Sequence, residues 1–483
     1  MTDASAYLSP TILDSRRLFG PNLFSARAGA VLEVATDTDA NRRAMELWPL
    51  HARRLMDALG WMDAECITRP SSNLASLFVS APVDGLLTAS DLTEHAWLAA
   101  EAQVAGAVAP DPLQTLRLAY TRERQALPLV VAIAEYAREH RLVFSLDDEG
   151  CSVGSGVGVL TISHSDAAHE ASADFDSAWE DARDIPIVLV TGSNGKTTTT
   201  RLVAAMWRAA GRAAGWCCSD GVWIDGVQVE SGDYTGPTAA RRVVCDLDVE
   251  AAVLETARGG LLRRGLALSL IDGAVITNIS ADHFGEYGIE TLDDLAQAKA
   301  IVTRALRPGA AVVLNADDAS LVRLAAGLDV PVAWFSATDH ALVRETVTHG
   351  VTVRDGRMLL CQNGDWHDLG MVRDMPITLE GRAQHNIANA AAAALLASVA
   401  GVPLNGIRRA LGTFGSDPSD NPGRLMVREV GGVTLVIDYA HNPDGMTSLC
   451  ATAASLPAQR RLLLMGQAGN RDDAQVRALA AAA

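Results

Sequence analysis

The sequence predicts an α/β protein with a doubly wound, mostly parallel sheet at its centre, a separate α/β domain before it and the start of a third α/β unit after it. Three observations carry that class. The apolar, β-branched runs "IPIVLV", "AAVLET", "GAVITNI", "AAVVLNAD" and "VPVAWFS" recur between residues 185 and 336, the pattern of strands buried on both faces. Helical segments separate several of them, as crossover connections require. A glycine turn, "TGSNGKTT", leads from the first run into "TTTTRLVAAMWRAAG", a helix closed by glycine.

Taken in order, residues 1–164 mix helical patterns ("NRRAMELWPLHARRLMDALGWM", "LPLVVAIAEYAREHR") with strand-like runs ("AVLEVAT", "LVFSLDDE") and read as the separate N-terminal α/β domain. Residues 165–184 are acidic and rich in small side chains without a steady apolar face, so they read as a linker. The central domain is expected over 185–415. Within it, Asp225-Gly226 between alternating residues signals a β-hairpin that opens into a polar loop at 231–238, a place to hold substrate. The segment "GSDPSDNPGR" reads as a hinge, and "VTLVIDYA" and "RRLLLMG" are expected strands of a third unit over 416–483.

Composition bounds the function. A chain of 483 residues with 49% hydrophobic content can bury more than one core, and at roughly 100–200 residues per domain it divides into about three. The net charge of −18 is spread along the chain and repels a phosphate backbone, which excludes nucleic acid as the expected partner. Seven cysteines without a CxxC pair argue against a zinc ribbon or disulfide scaffold and for a reduced cytoplasm. No basic-then-apolar leader and no run of about 18 apolar residues occurs, so a cytoplasmic protein without a membrane partner is expected.

Lysine and arginine together number 40, yet lysine occurs only at 196 and 299. Arginine serves wherever a surface positive charge suffices, but it cannot replace a compact ammonium or an amine that must lose its proton. Lys196 and Lys299 are therefore candidates for chemistry. Lys196 lies in the glycine turn, where Gly192, Ser193, Asn194, Gly195, Lys196, Thr197 and Thr198 form a phosphate cradle. Backbone N–H groups at a helix N-terminus face the anion, the lysine reaches terminal phosphate oxygens and Thr197 is placed to ligate magnesium. The pattern GxxxxGK[ST] would need glycine where this chain has Val190, so the loop is a shorter variant.

That loop, with "VLETARGG", "TNISADHFG", "AKA" at 298–300, "VLNADD", "GRAQHNIANA", "NPGR" and "DYAHNPDG" in this order, resembles the Mur ligase family. More narrowly, "GDYTGP", "LETARGG" and "DNPGR" are similar to the Mur-type half of cyanophycin synthetases, and "RRLFGPNLFSARAGAVLEV" resembles their amino-terminal domain. No ATP-grasp domain stands between the two parts, where those enzymes carry one.

The resemblance implies a Mur-type central P-loop domain, a Rossmann-like C-terminal domain continuing for several strands past Ala483, and an ATP-dependent amide ligase working through an acyl phosphate. Its cofactors would be ATP and one or two Mg2+ ions, with Thr197, Glu255 and His283 as metal ligands. It further implies that Lys196, Glu255, His283 and Lys299 carry catalysis, Lys299 as a carbamate, and that Asn315, His385, Asn386, Arg424 and Asp438 approach the nucleotide. For each of these last five a plain structural role is an equal reading. Substrates would be a small-molecule or peptide acid and an amino-acid amine, for example arginine joined to an aspartyl carboxylate. Two other readings stay open: a nucleotide-binding scaffold or partner subunit without turnover, and a ligase like folylpolyglutamate synthase. A homo-oligomer is also left open. Arg258, Arg263 and Arg264, just past Glu255, read equally as anion ligands or as a solvated face.

Overall fold

The computed structural model of the protein describes residues 9–126, 129–146, 150–163, 179–281, 284–345, 348–466 and 473–483. The first sheet is antiparallel, with β1 (Ile12–Leu18), β2 (Gly29–Ala35), β3 (Cys66–Pro70) and β4 (Leu74–Ser80) in the order β1-β2-β4-β3. Helices Asp39–Leu59 and Leu86–Val104 cover one face of it, burying Trp48 and Trp97 against Leu32, Val34 and Leu77. Thr38 caps the first helix through Asn41 N–H, and Gly60 ends it in the left-handed region, so its 21 residues begin and stop where the local chemistry dictates.

A second, three-stranded sheet follows: β5 (Phe144–Leu146), β6 (Gly150–Val153) and β7 (Leu160–Ser163). It has its own small core with helix Val130–His140 and Trp179. The first 163 residues thus contain two sheets with separate cores, a division that short strands of three or four residues do not reveal to periodicity.

The central sheet has eleven strands. Seven run parallel in the order β9 (Ala214–Cys218), β12 (Ala251–Glu255), β8 (Ile187–Thr191), β13 (Ile271–Ile276), β14 (Leu306–Asn315), β15 (Val332–Phe335) and β16 (His349–Arg354). Antiparallel β10 (Gly221–Ile224) and β11 (Val227–Ser231) extend one edge, and β17 (Arg357–Gln362) and β18 (Asp365–Met371) the other. Because side chains alternate across a strand, Val188 and Val190 enter one core with helices Lys196–Ala209 and Gln384–Val399, while Ile187 and Leu189 enter the core on the opposite face. The expected hairpin turn is present, with Asp225 at φ 45° and Gly226 at φ 87°. Chain direction along the sheet reverses around β8, and the crevice beyond the carboxyl ends of β8, β12 and β13 is where open α/β sheets place ligands.

In the last unit, β19 (Met426–Val430) and β20 (Val433–Ile437) form a two-stranded antiparallel ribbon, followed by helix Pro443–Ser455 and, at the end, helix Asp473–Ala482. The expected strand at "RRLLLMG" does not form: residues 461–466 are irregular, with Leu462 87% and Leu464 95% exposed. β-propensity alone does not make a strand without a partner and a face to bury.

Candidate active site

The glycine turn caps β8. Gly192 and Gly195 have φ of +148° and +82°, and a Cβ would stand 1.8 Å from Thr277 Oγ1 at the first and 2.1 Å from Asn389 Oδ1 at the second. Both positions require glycine by backbone and by space. The segment after β13 pins the loop: Ser193 N–H donates to Asn278 O (2.9 Å), Asn194 N–H to Asn278 Oδ1 (2.9 Å) and Thr277 Oγ1 to Asn194 O (2.6 Å). Lys196 folds over the turn, its Nζ donating to Ser193 O at 3.1 Å.

Thr197, in the first turn of the following helix, donates to Glu255 Oε2 at 2.9 Å; Ser219 Oγ lies 3.1 Å from the same hydroxyl. Glu255 ends β12, 3% exposed, and its burial pushes the carboxyl above the ordinary carboxylate range against the opposing pull of Lys196. Lys299, 4% exposed at the end of helix Leu292–Lys299, donates from Nζ to Gly192 O at 2.8 Å. Thus the chain's two lysines both bond to carbonyls of the same turn.

The last unit closes over this loop. Arg424 donates to Ser219 Oγ (2.8 Å) and stacks 4.5 Å from the Tyr439 ring centroid. Asp438 accepts from Leu425 N–H (2.7 Å). Asn421 Nδ2 donates to Thr198 Oγ1 (3.1 Å), and Asn442 Nδ2 donates to Asn194 Oδ1 (2.8 Å). Together they enclose a cavity of about 770 Å³ lined by the loop, Glu255, Lys299, His385, Asn386, Arg424 and Asp438. Burial holds the His385 imidazole below its usual range, with Asp438 opposing the shift.

Among the expected residues, Asn315 is placed behind the cavity and not on its lining: its Nδ2 donates to Thr277 O (3.2 Å) and its Oδ1 accepts from Asp317 N–H. His283 lies outside the described residues. Arg258 turns inward and pairs with Glu286 at 2.5 Å, whereas Arg263 donates to Tyr287 Oη (3.3 Å) and Arg264 lies over Phe19. Ser219, Asn389, Asn421 and Asn442 escaped the sequence reading. Asn389, Asn421 and Asn442 lie within the strings quoted above without having been singled out, and Asn442 carried a further signal, since Asn before Pro at a helix start is an N-cap pattern.

Among the described residues no group of three or more His, Cys, Asp and Glu side chains is arranged for a metal. The adjacent Thr197 hydroxyl and buried Glu255 carboxylate nevertheless offer hard oxygens, and Mg2+ is ordinarily held by one or two such ligands, water and substrate phosphates. The donor chemistry therefore fits.

Residues 190–397 match the Mur ligase middle domain and residues 423–483 the Mur ligase, glutamate ligase domain. The chain belongs to the Mur ligase family. It is 40% identical over 293 residues to a cyanophycin synthetase of Trichormus variabilis, covering 60% of this chain and 32% of the relative. The likeness to a Synechocystis cyanophycin synthetase is 37% over 292 residues, 60% and 33% of the two chains. A UDP-N-acetylmuramoylalanine--D-glutamate ligase of Roseiflexus is 32% identical over 266 residues, 53% of this chain and 50% of the other. The chain spans about a third of the length of the cyanophycin synthetases it matches. A solved UDP-N-acetylmuramoyl-L-alanyl-D-glutamate--2,6-diaminopimelate ligase aligns with a TM-score of 0.41 at 22% identity, over 62% of this chain and 59% of that one. No helix among the described residues is long and apolar enough to cross a membrane.

Proposed function

We propose that the chain is an ATP-dependent carbon–nitrogen ligase joining an acid to an amino acid. The observation that carries this reading is the convergence, in one cavity, of a phosphate loop, the Thr197–Glu255 pair and a second buried lysine, with Arg424 and Asp438 reaching in from the last unit.

In this reading a carboxylate oxygen of the acid attacks the γ-phosphorus of ATP, ADP departs, the amine nitrogen then attacks the acyl carbon, and phosphate leaves as the amide forms. Such chemistry rests on positioning and charge neutralisation more than on covalent help. Lys196 swings from Ser193 O to phosphate oxygens, and the loop N–H groups hold the phosphate chain. Thr197 and Glu255 would hold Mg2+, with His283 as a further proposed ligand; the ion neutralises developing phosphoryl charge when bound. Arg424 and Asp438 close the nucleotide side and exclude water from the acyl phosphate. Lys299 carries the carbamate in this scheme, and a carbamate keeps one N–H, so its bond to Gly192 O is compatible with either form. The acid is of aspartyl type and the amine an amino acid such as arginine.

The test is phosphate release from ATP and magnesium across a panel of acids (aspartyl peptides, β-aspartyl-arginine, glutamyl compounds, folate) crossed with amino acids. Release that needs one acid and one amine together, and is lost in Lys299→Ala, supports the ligase. Nucleotide binding without release for any pair sinks it.

A further inference from the structure

The N-terminal domain does not line the cavity just described, yet its first sheet meets the central domain along segments that build one wall of that cavity. Phe19 N–H donates to Arg264 O (2.9 Å) and Leu266 N–H to Pro21 O (2.8 Å), framing the end of helix Arg258–Arg264. Arg69 pairs with Asp294 (2.8 Å), the capping-box residue of the helix that ends at Lys299. Ser72 donates to Glu290 in the loop between them.

The backbone is fitted to this contact. A Cβ on Gly20 would stand 2.5 Å from Leu266 O, and one on Gly265, at φ +75°, 3.0 Å from Pro21 O. Glycines on both sides of the joint permit an approach that no side chain allows.

At the centre of the contact is Arg16 of β1, 8% exposed. Its guanidinium donates to Asp14 (2.7 Å), Glu33 (2.8 Å) and Leu262 O (3.2 Å), and its carbon lies 4.6 Å from the Tyr287 ring centroid. Two carboxylates and a carbonyl fix that cation from both domains, so the ring it supports is fixed as well. Tyr287 itself sits at φ +56°, a conformation an aromatic residue keeps only when its surroundings impose it. Its neighbour Glu286 is the partner of Arg258, and both line the cavity.

We propose that the N-terminal domain is a brace for this wall and that Arg16 is its positioning residue, holding Tyr287 so that the Glu286–Arg258 pair faces the bound acid or amine. The identity of the wall's ligand rests on the ligase reading; the brace does not.

The test is hydrogen–deuterium exchange on the full chain, comparing wild type with Arg16→Ala and with Tyr287→Leu, which breaks the same contact from the central-domain side if the first variant disturbs its own sheet. Both are expected to speed exchange in 284–291 and 258–264 by about tenfold, leaving 196–209 and the affinity for AMPPNP with magnesium unchanged. Where the panel above yields turnover, KM for the acid or amine rises with KM for ATP unaltered. Exchange in 284–291 that stays at the wild-type rate in Tyr287→Leu overturns the brace, whether or not any ligase activity is found. Equal acceleration throughout the chain overturns it too, because the contact is then one of general stability.

Discussion

Asn442 Nδ2 donates to Asn194 Oδ1 at 2.8 Å, joining the cap of a helix in the last unit to the middle of the phosphate loop. The same side chain caps that helix through Oδ1, which accepts from Gly445 N–H at 2.9 Å. Its two ends can be tested apart. Asn442→Ser keeps a cap and loses the reach to Asn194, so AMPPNP affinity should fall about five- to tenfold, the worth of about 1 kcal/mol, with little change in melting temperature. Asn442→Ala should add the lost cap, about another 1 kcal/mol of stability. Calorimetric titration and thermal melts distinguish the two, and unchanged affinity in Asn442→Ser would show that the contact does not bear on the nucleotide.

Gly195→Ala places a methyl against Asn389 Oδ1 and forces a residue with Cβ to hold φ +82°. We expect loss of measurable AMPPNP binding and a destabilisation of about 1–3 kcal/mol. Adding Asn389→Ala should recover part of the stability but not the binding, since it relieves the clash and leaves the backbone strained.

Lys299→Arg discriminates between a cation and a carbamate. A guanidinium retains the positive charge but takes up no carbon dioxide, so the arginine variant should be as inactive as Lys299→Ala, and wild-type turnover should fall when bicarbonate and carbon dioxide are stripped from the buffer. Activity in Lys299→Arg near the wild-type rate would rule out the carbamate.

His385 gives a pH dependence with a definite sign. Burial lowers its pKa from the unfolded value of 6.5, with Asp438 opposing. A base depressed in the folded state contributes stability that is present above 6.5 and lost as pH falls through the folded value. Between about pH 7.5 and pH 5 the wild-type melting temperature should therefore drop more steeply than that of His385→Gln. Parallel curves would contradict it.

Cys217 and Cys218 lie side by side in β9 as free thiols. Burial raises both, with Glu255 adding to it, and holds Cys218 at about 12. A thiol so protonated is a poor nucleophile, so neither should react with iodoacetamide at about pH 8 in the native protein, whereas both should label in denaturant. Labelling of the native pair at the unfolded rate would refute the assignment.

What the sequence discloses here follows from what is local. The loop from Gly192 to Thr198, the Asp225-Gly226 turn and the buried runs of β8, β12, β13, β14 and β15 are written in contiguous residues, and they stand where periodicity and turn chemistry put them. The last parallel strand β16 and the antiparallel additions β17 and β18 escaped because their residues alternate weakly and part of each faces solvent. Asn389 was invisible for another reason: it matters by lying beneath Gly195, 194 positions away, and a helix rich in alanine gives no hint of which polar residue faces a loop. Arg16 likewise reads as one surface arginine among many until Glu33, Leu262 and Tyr287 are brought round it.

The place of β8 in the sheet bears on how the protein is made. Val188 pairs with Val253 on one side and Gly273 on the other, so the strand that carries the phosphate loop has neither neighbour when it leaves the ribosome. Both of its flanks are supplied by chain synthesised later, and contacts of such sequence separation are slow to close. During translation the loop therefore lacks the residues that pin it until Asn278 has emerged, and substitutions in β12 or β13 that delay pairing should lower the yield of nucleotide-competent protein without altering the loop itself.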